Sequence, residues 1–243
     1  MKLVTLILLF IVSTSFAQRT TLHNNQQWMQ YYTQTALGRG LVLYADGGIR
    51  RIDEFSSWSQ HLLRAGIGYP LTGNIQGVTG LACFRFFQED VMSRTEFRLW
   101  QEFNHPQHIG RTWLQQRLRI EARYFRNLPG SPFRNEKNFN IRFRYRLQTQ
   151  TPVLPLSKKH PERMLLLTFG DEVFINAGRE IVHNFFDNNR LMIGPLVQFG
   201  KDLSIGVLYN HQFGQRNRPA TVESSEILWL TVNQRFGKHR NAP

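Results

Sequence analysis

The chain has 243 residues, 30 Lys and Arg against 17 Asp and Glu, a formal net charge of +13 and one cysteine. A single cysteine, Cys83, excludes an intrachain disulfide, although export would permit one. The basic excess would suit nucleic acid, anionic lipid or an anionic solute. Its arginines recur with a strand period instead of gathering in a tail, and this argues against nucleic acid.

The chain begins with Lys2, an apolar run from Leu3 to Val12, and small residues at Ser15 and Ala17. This pattern is that of a secretory signal cleaved near Ala17/Gln18, too short to span a bilayer as a helix. No cysteine follows the run to take a lipid anchor. The expected organisation is a signal peptide over 1–17 and a single β-barrel domain over 18–243. Beyond the signal no stretch has the length of a membrane helix. Barrel strands need only about 9–11 residues each and show weak hydropathy.

Strands are predicted near 26–36, 40–50, 61–69, 75–88, 92–104, 111–125, 137–149, 163–175, 187–199, 203–213 and 225–236. Turn signals separate them, among them Gly38-Arg-Gly, Tyr69-Pro-Leu-Thr-Gly, His105-Pro-Gln-His-Ile-Gly, Leu128-Pro-Gly-Ser-Pro, Gly200-Lys-Asp and Arg216-Asn-Arg-Pro. Three consecutive segments alternate charge with apolar side chains. Phe97 and Leu99 interleave with Glu96, Arg98 and Trp100. Leu118 and Ile120 interleave with Arg117, Arg119, Glu121 and Arg123. Phe139, Ile141, Phe143, Tyr145 and Leu147 interleave with Asn140, Arg142, Arg144 and Arg146. A period of two puts the two sets on opposite faces of a sheet. In a sandwich the apolar face is the core; in a membrane barrel it meets lipid and the charged face lines the inside.

The exported start and regular hairpin spacing favour the second solution. The expected fold is all-β, an antiparallel up-and-down transmembrane β-barrel of ten to twelve strands. Twelve is preferred, because bacterial single-chain barrels have even strand numbers and Gln18 to Gln26 is available to cross once more. Short connections follow the first, third, fifth and ninth segments, which places them in the periplasm. The long Thr151–Glu162 connection then falls on that side as well, against the rule. A turn at Gln107-His108 would pair Arg94 with Glu121 and Glu96 with Arg119, and leave Arg98 opposite Arg117. Glu172 is the remaining inward carboxylate to complete that set. Near the C-terminus Leu228, Leu230, Val232 and Phe236 share one parity, as in a closing barrel strand.

The chain also resembles an uncharacterised family of exported bacterial proteins, thought to be outer-membrane β-barrels. The resemblance rests on Trp28, on Asp46 with Arg50, and on Arg64-Ala-Gly-Ile-Gly-Tyr69. It continues through Glu96–Gln101, Arg117–Arg123, Glu172 and Phe186-Asp-Asn-Asn-Arg190. The family carries no established activity, so the resemblance implies architecture and compartment only.

The lumen- or anion-facing candidates are Arg64, Arg98, Arg117, Arg119, Arg123, Arg142, Arg144, Arg146, Arg190 and Arg235. Their interior salt-bridge carboxylates would be Glu96, Glu121 and Glu172. Such a set implies either a narrow anion-preferring channel or a closed structural barrel held by Arg–Glu pairs. Trp28, Tyr31, Tyr32, Tyr44, Tyr69, Trp113, Tyr124, Tyr209 and Trp229 lie toward segment ends and fit two interfacial girdles. No nucleophile motif is present, and the chain is not expected to be an enzyme. His183 and His61 with Ser59 are the residues a lipid-modifying enzyme would use. A periplasmic or surface β-sandwich binding an acidic ligand is the other alternative. No catalytic residue, metal site or cofactor is expected. Expected partners are the lipid bilayer of a Gram-negative-type outer membrane and small anionic solutes or acidic oligosaccharides.

Overall fold

A computed structural model describes residues 20–129, 139–178, 181, 184–216 and 220–237. The signal segment 1–17, His183 and most of the turn signals after Leu128 and Arg216 lie outside the described residues. Eleven strands form one closed barrel: β1 (Thr20–Gly38), β2 (Leu41–Ile52), β3 (Ser57–Pro70), β4 (Gln76–Gln88), β5 (Val91–Ile109), β6 (Thr112–Asn127), β7 (Phe139–Pro155), β8 (Met164–Ala177), β9 (Phe186–Gln198), β10 (Leu203–Gln215) and β11 (Thr221–Phe236). Each strand overlaps one predicted segment.

Every sequential pair is antiparallel, and β1 closes the barrel against β11 in parallel, from Thr20↔Thr221 to Thr35↔Phe236. An odd number of alternating strands leaves the first and last running the same way, so this closure must be parallel. The twelve-strand expectation is thereby corrected. Thr20–Gln26 is no separate crossing; it is the front of β1, and β11 satisfies its edge. The same pairing places Thr20 and Phe236 at opposite rims. Closure also replaces the sandwich alternative, since a closed sheet leaves no two-sheet core and no free edge.

The turns explain the register. Arg39-Gly40 and Glu89-Asp90 are two-residue connections whose residues all have positive φ, the geometry that matches strand twist. Gly110, at φ 58°, forms a third with Arg111 and pairs Ile109 with Thr112. This overturns the expected Gln107-His108 turn: Pro106 lies within the β5–β6 pairing, opposite Gln115. Arg94 therefore faces Asn127 and Glu96 faces Phe125, in place of the predicted charge pairs. β7 runs on to Pro155, which shortens the troublesome connection to residues 156–163.

Alternation sorts the side chains as expected. Outward, large apolar residues are exposed on every strand, including Met29, Leu41, Leu63, Leu81, Phe97, Leu118, Phe143, Leu167, Ile193, Val207 and Leu228. Leu63 and Leu81, neighbours on β3 and β4, are 67% and 65% exposed. Cys83 faces out between Leu63 and Phe97. Inward, two apolar clusters line part of the wall: Trp28, Met192, Leu208, Ile227 and Trp229 on one side, and Leu62, Val78, Ala82, Phe84 and Trp100 on the other. The girdle reading is thus corrected for Trp28, Tyr32, Tyr44, Trp113 and Trp229, which line the interior. Tyr31, Tyr124 and Tyr209 are exposed on the outside.

Trp100 shows how closely the inner wall is fitted. Gly66, Gly80 and Trp100 are neighbours across β3, β4 and β5. A Cβ at Gly80 would stand 2.5 Å from Trp100 Cζ2 and closer still to the Ala65 carbonyl oxygen. The indole lies over two glycines because no other residue leaves it room. The Arg119 guanidinium caps the ring at 4.5 Å from its centroid.

Candidate functional site: an arginine-lined lumen

Strand parity sends the alternate polar residues of β5 to β9 into one shared interior. Register then sets like charges side by side, with Arg98 opposite Arg123, Arg119 opposite Arg144 and Arg117 opposite Arg146. Directly opposed like charges destabilise a sheet unless a carboxylate bridges them. Glu96 bridges the first pair and Glu121 the second, while Glu172 takes Arg117 of the third and Glu102 joins Arg117 to Arg119.

Glu96 accepts from Arg98 Nε at 2.5 Å and Arg123 Nε at 2.6 Å. Glu102 accepts from Arg119 Nε at 2.7 Å and lies 3.8 Å from Arg117 Nε. Glu121 takes Arg142 Nη2 at 2.6 Å and Arg144 Nη1 at 2.7 Å, with Arg98 at 3.4 Å and Arg119 at 3.7 Å. Glu172 takes Arg144 Nη2 at 2.7 Å and a short bond from Arg117, with Arg190 at 3.7 Å. Asp187 reaches Arg142 at 3.0 Å. On the opposite wall Asp46 holds Arg64 Nε at 2.9 Å and Gln30 Nε2 at 2.6 Å.

Buried carboxylates of this kind stabilise only because each accepts several charge-assisted bonds. Arginine suits the role, since its planar fork serves two acceptors at once and its charge survives burial. Aromatic faces hold the cations from the other side: Arg98 over Phe84 at 3.7 Å, and Arg144 over Phe174 at 4.5 Å.

Of the sequence candidates, Arg98, Arg117, Arg119, Arg123, Arg142, Arg144 and Arg190 join Glu96, Glu121 and Glu172 in this network. Arg64 stands apart with Asp46. Arg146 lines the interior without a carboxylate ion pair among the described residues, and its Nε finds no acceptor. Arg235 sits exposed at one mouth. The expected partner of the unmatched pair, Glu172, does reach Arg117.

Sequence reasoning missed Glu102, Asp46 and Asp187 as interior carboxylates. Glu102 could have been found, since it shares the parity of Glu96 and Arg98 on the same strand. It missed Arg50, which stacks over Trp28 at 3.7 Å and bonds Gln60 Oε1 at 2.8 Å. Ser59 lines the interior, while His61 packs against Trp58 and Phe87 at 4.7 and 4.6 Å. No hydrogen bond joins Ser59 and His61 among the described residues.

The network does not fill the barrel. A cavity of about 2310 Å³ remains, and residues of both rims line it: Arg39, Asn74 and Lys201 at one end, Phe87, Asn184 and Glu223 at the other. Among the described residues, fourteen arginines and Lys201 line it, against six carboxylates: Asp46, Glu102, Glu172, Asp187, Asp202 and Glu223. The interior is therefore a strongly cationic space between walls of sheet.

A family model described as "Protein of unknown function (DUF2490)" matches residues 25–223. No curated protein and no solved structure matches the chain.

Proposed function

Because the chain belongs to the DUF2490 family, whose function is unknown, we propose from its geometry that it is an outer-membrane β-barrel whose lumen passes small anions. The observation that carries this reading is the cationic cavity lined by residues of both rims. Sheet walls of low dielectric focus the field of the arginines along the lumen and raise the local concentration of carboxylates and phosphates. The Arg–Glu network keeps the cations in place, and its charge excess stays turned toward the open space. A closed structural barrel would instead fill its interior with side chains.

Membrane residence is supported by the apolar outer band and by the signal-like start of the chain. The expected result is that the protein stays with outer membranes through high-salt and urea washes. Leu81→Arg, at the outward face of β4, should lower the stability of the folded barrel in bilayers by about 2–4 kcal/mol. Release of the wild type by urea, or no cost for the Leu81 variant, would count against insertion.

Passage is tested by solute uptake into liposomes carrying the refolded protein. An anionic sugar acid should enter faster than a neutral sugar of the same size. Arg146→Gln removes a cation that forms no direct ion pair among the described residues, and it sets no new charge against Glu172, its neighbour across the β7–β8 register. A change of about 1 kcal/mol at the lumen would lower the anion preference roughly fivefold. Equal uptake of both solutes by wild type would contradict the proposal.

A further inference from the structure

The inner wall has two unlike halves. On the side of β5 to β9 the arginines are held by glutamates. Arg50 from β2, on the other side, and Arg190 from β9, at the far edge of that network, both come to rest over one indole, that of Trp28. Arg50 lies 3.7 Å and Arg190 4.8 Å from its ring centroid. Yet no carboxylate pairs with Arg50 among the described residues, and its Nε has no acceptor. Among the described residues Arg190 meets one carboxylate, Glu172, at 3.7 Å. Two guanidiniums brought onto one ring repel, and cation–π attraction of about 0.5–2 kcal/mol per contact offsets this only in part.

Their hydrogen-bond partners add a second observation. Gln60 Oε1 accepts from Arg50 at 2.8 Å. Gln212 Oε1 accepts from Arg190 Nε and Nη2 at 3.1 and 2.8 Å. With each carboxamide oxygen engaged by an arginine, each amide turns its NH2 away as a donor. Both glutamines and both arginines line the cavity. What faces the open space is thus a set of donors and positive charge, with the acceptors already used. An acceptor-only, negatively charged group is what such a set binds.

We infer that Arg50, Arg190, Gln60 and Gln212, gathered around Trp28, form a binding station for one oxyanion, a carboxylate or a phosphate, within the lumen. The inference rests on the lumen being reachable by solutes, as the proposed function requires, and adds a discrete site to it. Trp28 reports on the site directly, because an anion that draws either guanidinium changes the charge over its ring.

The test uses refolded full-length mature protein in detergent, titrated with inorganic phosphate or acetate at constant ionic strength set by chloride. Tryptophan fluorescence should change saturably, and Trp28→Phe should remove that change while calorimetry still detects binding. Arg50→Gln and Arg190→Gln should each weaken binding at least tenfold. Arg50→Lys keeps the charge, loses the fork and should weaken it severalfold, which guards against a variant that does not fold. Arg111→Gln, in the β5–β6 turn, should leave binding unchanged. Saturation by phosphate alone, acetate alone or both identifies the oxyanion and supports the station. A response that merely follows salt, or one that persists in the arginine variants, overturns it. The two proposals fail separately: a barrel that binds phosphate but passes no solute keeps the station and loses the passage.

Discussion

Glu121→Gln should cost the barrel about 3–5 kcal/mol, the range for breaking a buried ion pair from one side. Glu121 is 1% exposed and is approached by Arg142, Arg144, Arg98 and Arg119. A neutral amide of the same shape keeps the packing and removes the charge that four guanidiniums share. All four also serve another carboxylate, since Arg144 reaches Glu172, Arg98 reaches Glu96, Arg119 reaches Glu102 and Arg142 reaches Asp187. The loss therefore spreads through the network. Urea unfolding followed by the gel mobility of unheated samples measures it. Arg142 and Arg144 are held by these same carboxylates, so reversing their charge should destabilise the barrel as well. A cost below about 1 kcal/mol would mean that the network contributes little to holding the wall.

Gly80→Val should destabilise by at least about 1–3 kcal/mol through overpacking, because its Cβ meets both Trp100 and the β3 backbone. Trp100→Ala alone should cost about 3–5 kcal/mol by emptying the slot. The double variant is the informative one. With the indole gone, valine at 80 occupies part of its space, so the two costs should not add. Strict additivity, measured in the same unfolding assay, would mean that the indole does not rest on Gly80.

Much of this architecture is written locally. The alternation of Phe97, Leu99, Leu118 and Phe143 with the charged residues beside them gives faces without any tertiary information, because strand period is a covalent property. Eleven segments could be counted for the same reason. Closure could not. The pairing of β1 with β11 joins the two ends of the chain and leaves no sequence mark. A family habit of even numbers displaced the count that the segments themselves carried. Register failed at β5–β6 for a definite reason: Pro106 reads as a turn residue, yet it sits in the strand pairing while Gly110 turns the chain. A slip of an even number of residues keeps every side chain on its face, so the inward parity of Arg98, Arg117 and Arg119 does not depend on the register, whereas the direct partners expected for Arg94 and Glu96 do.

The candidate site was legible as a composition and not as a circuit. Arg98, Arg117, Arg142 and Arg144 follow from parity alone. Which carboxylate each one meets depends on diagonal reach between paired strands, as where Glu121 takes Arg98, two residues along β5 from its direct partner Trp100. Trp28 was read as an interfacial aromatic because it lies near the start of a segment. Its parity with Gln30 and Tyr32 places it inside, and β1 extends well beyond it toward Thr20.

Anion passage requires that the cationic cavity carry ions. Single-channel recording of the refolded mature protein in a planar bilayer, under a potassium chloride gradient, measures this directly. The account predicts discrete conductance steps with a reversal potential displaced toward that of chloride, and a displacement that shrinks as ionic strength screens the arginines. Cation-preferring steps, or silence from protein shown to be folded and inserted, would contradict it.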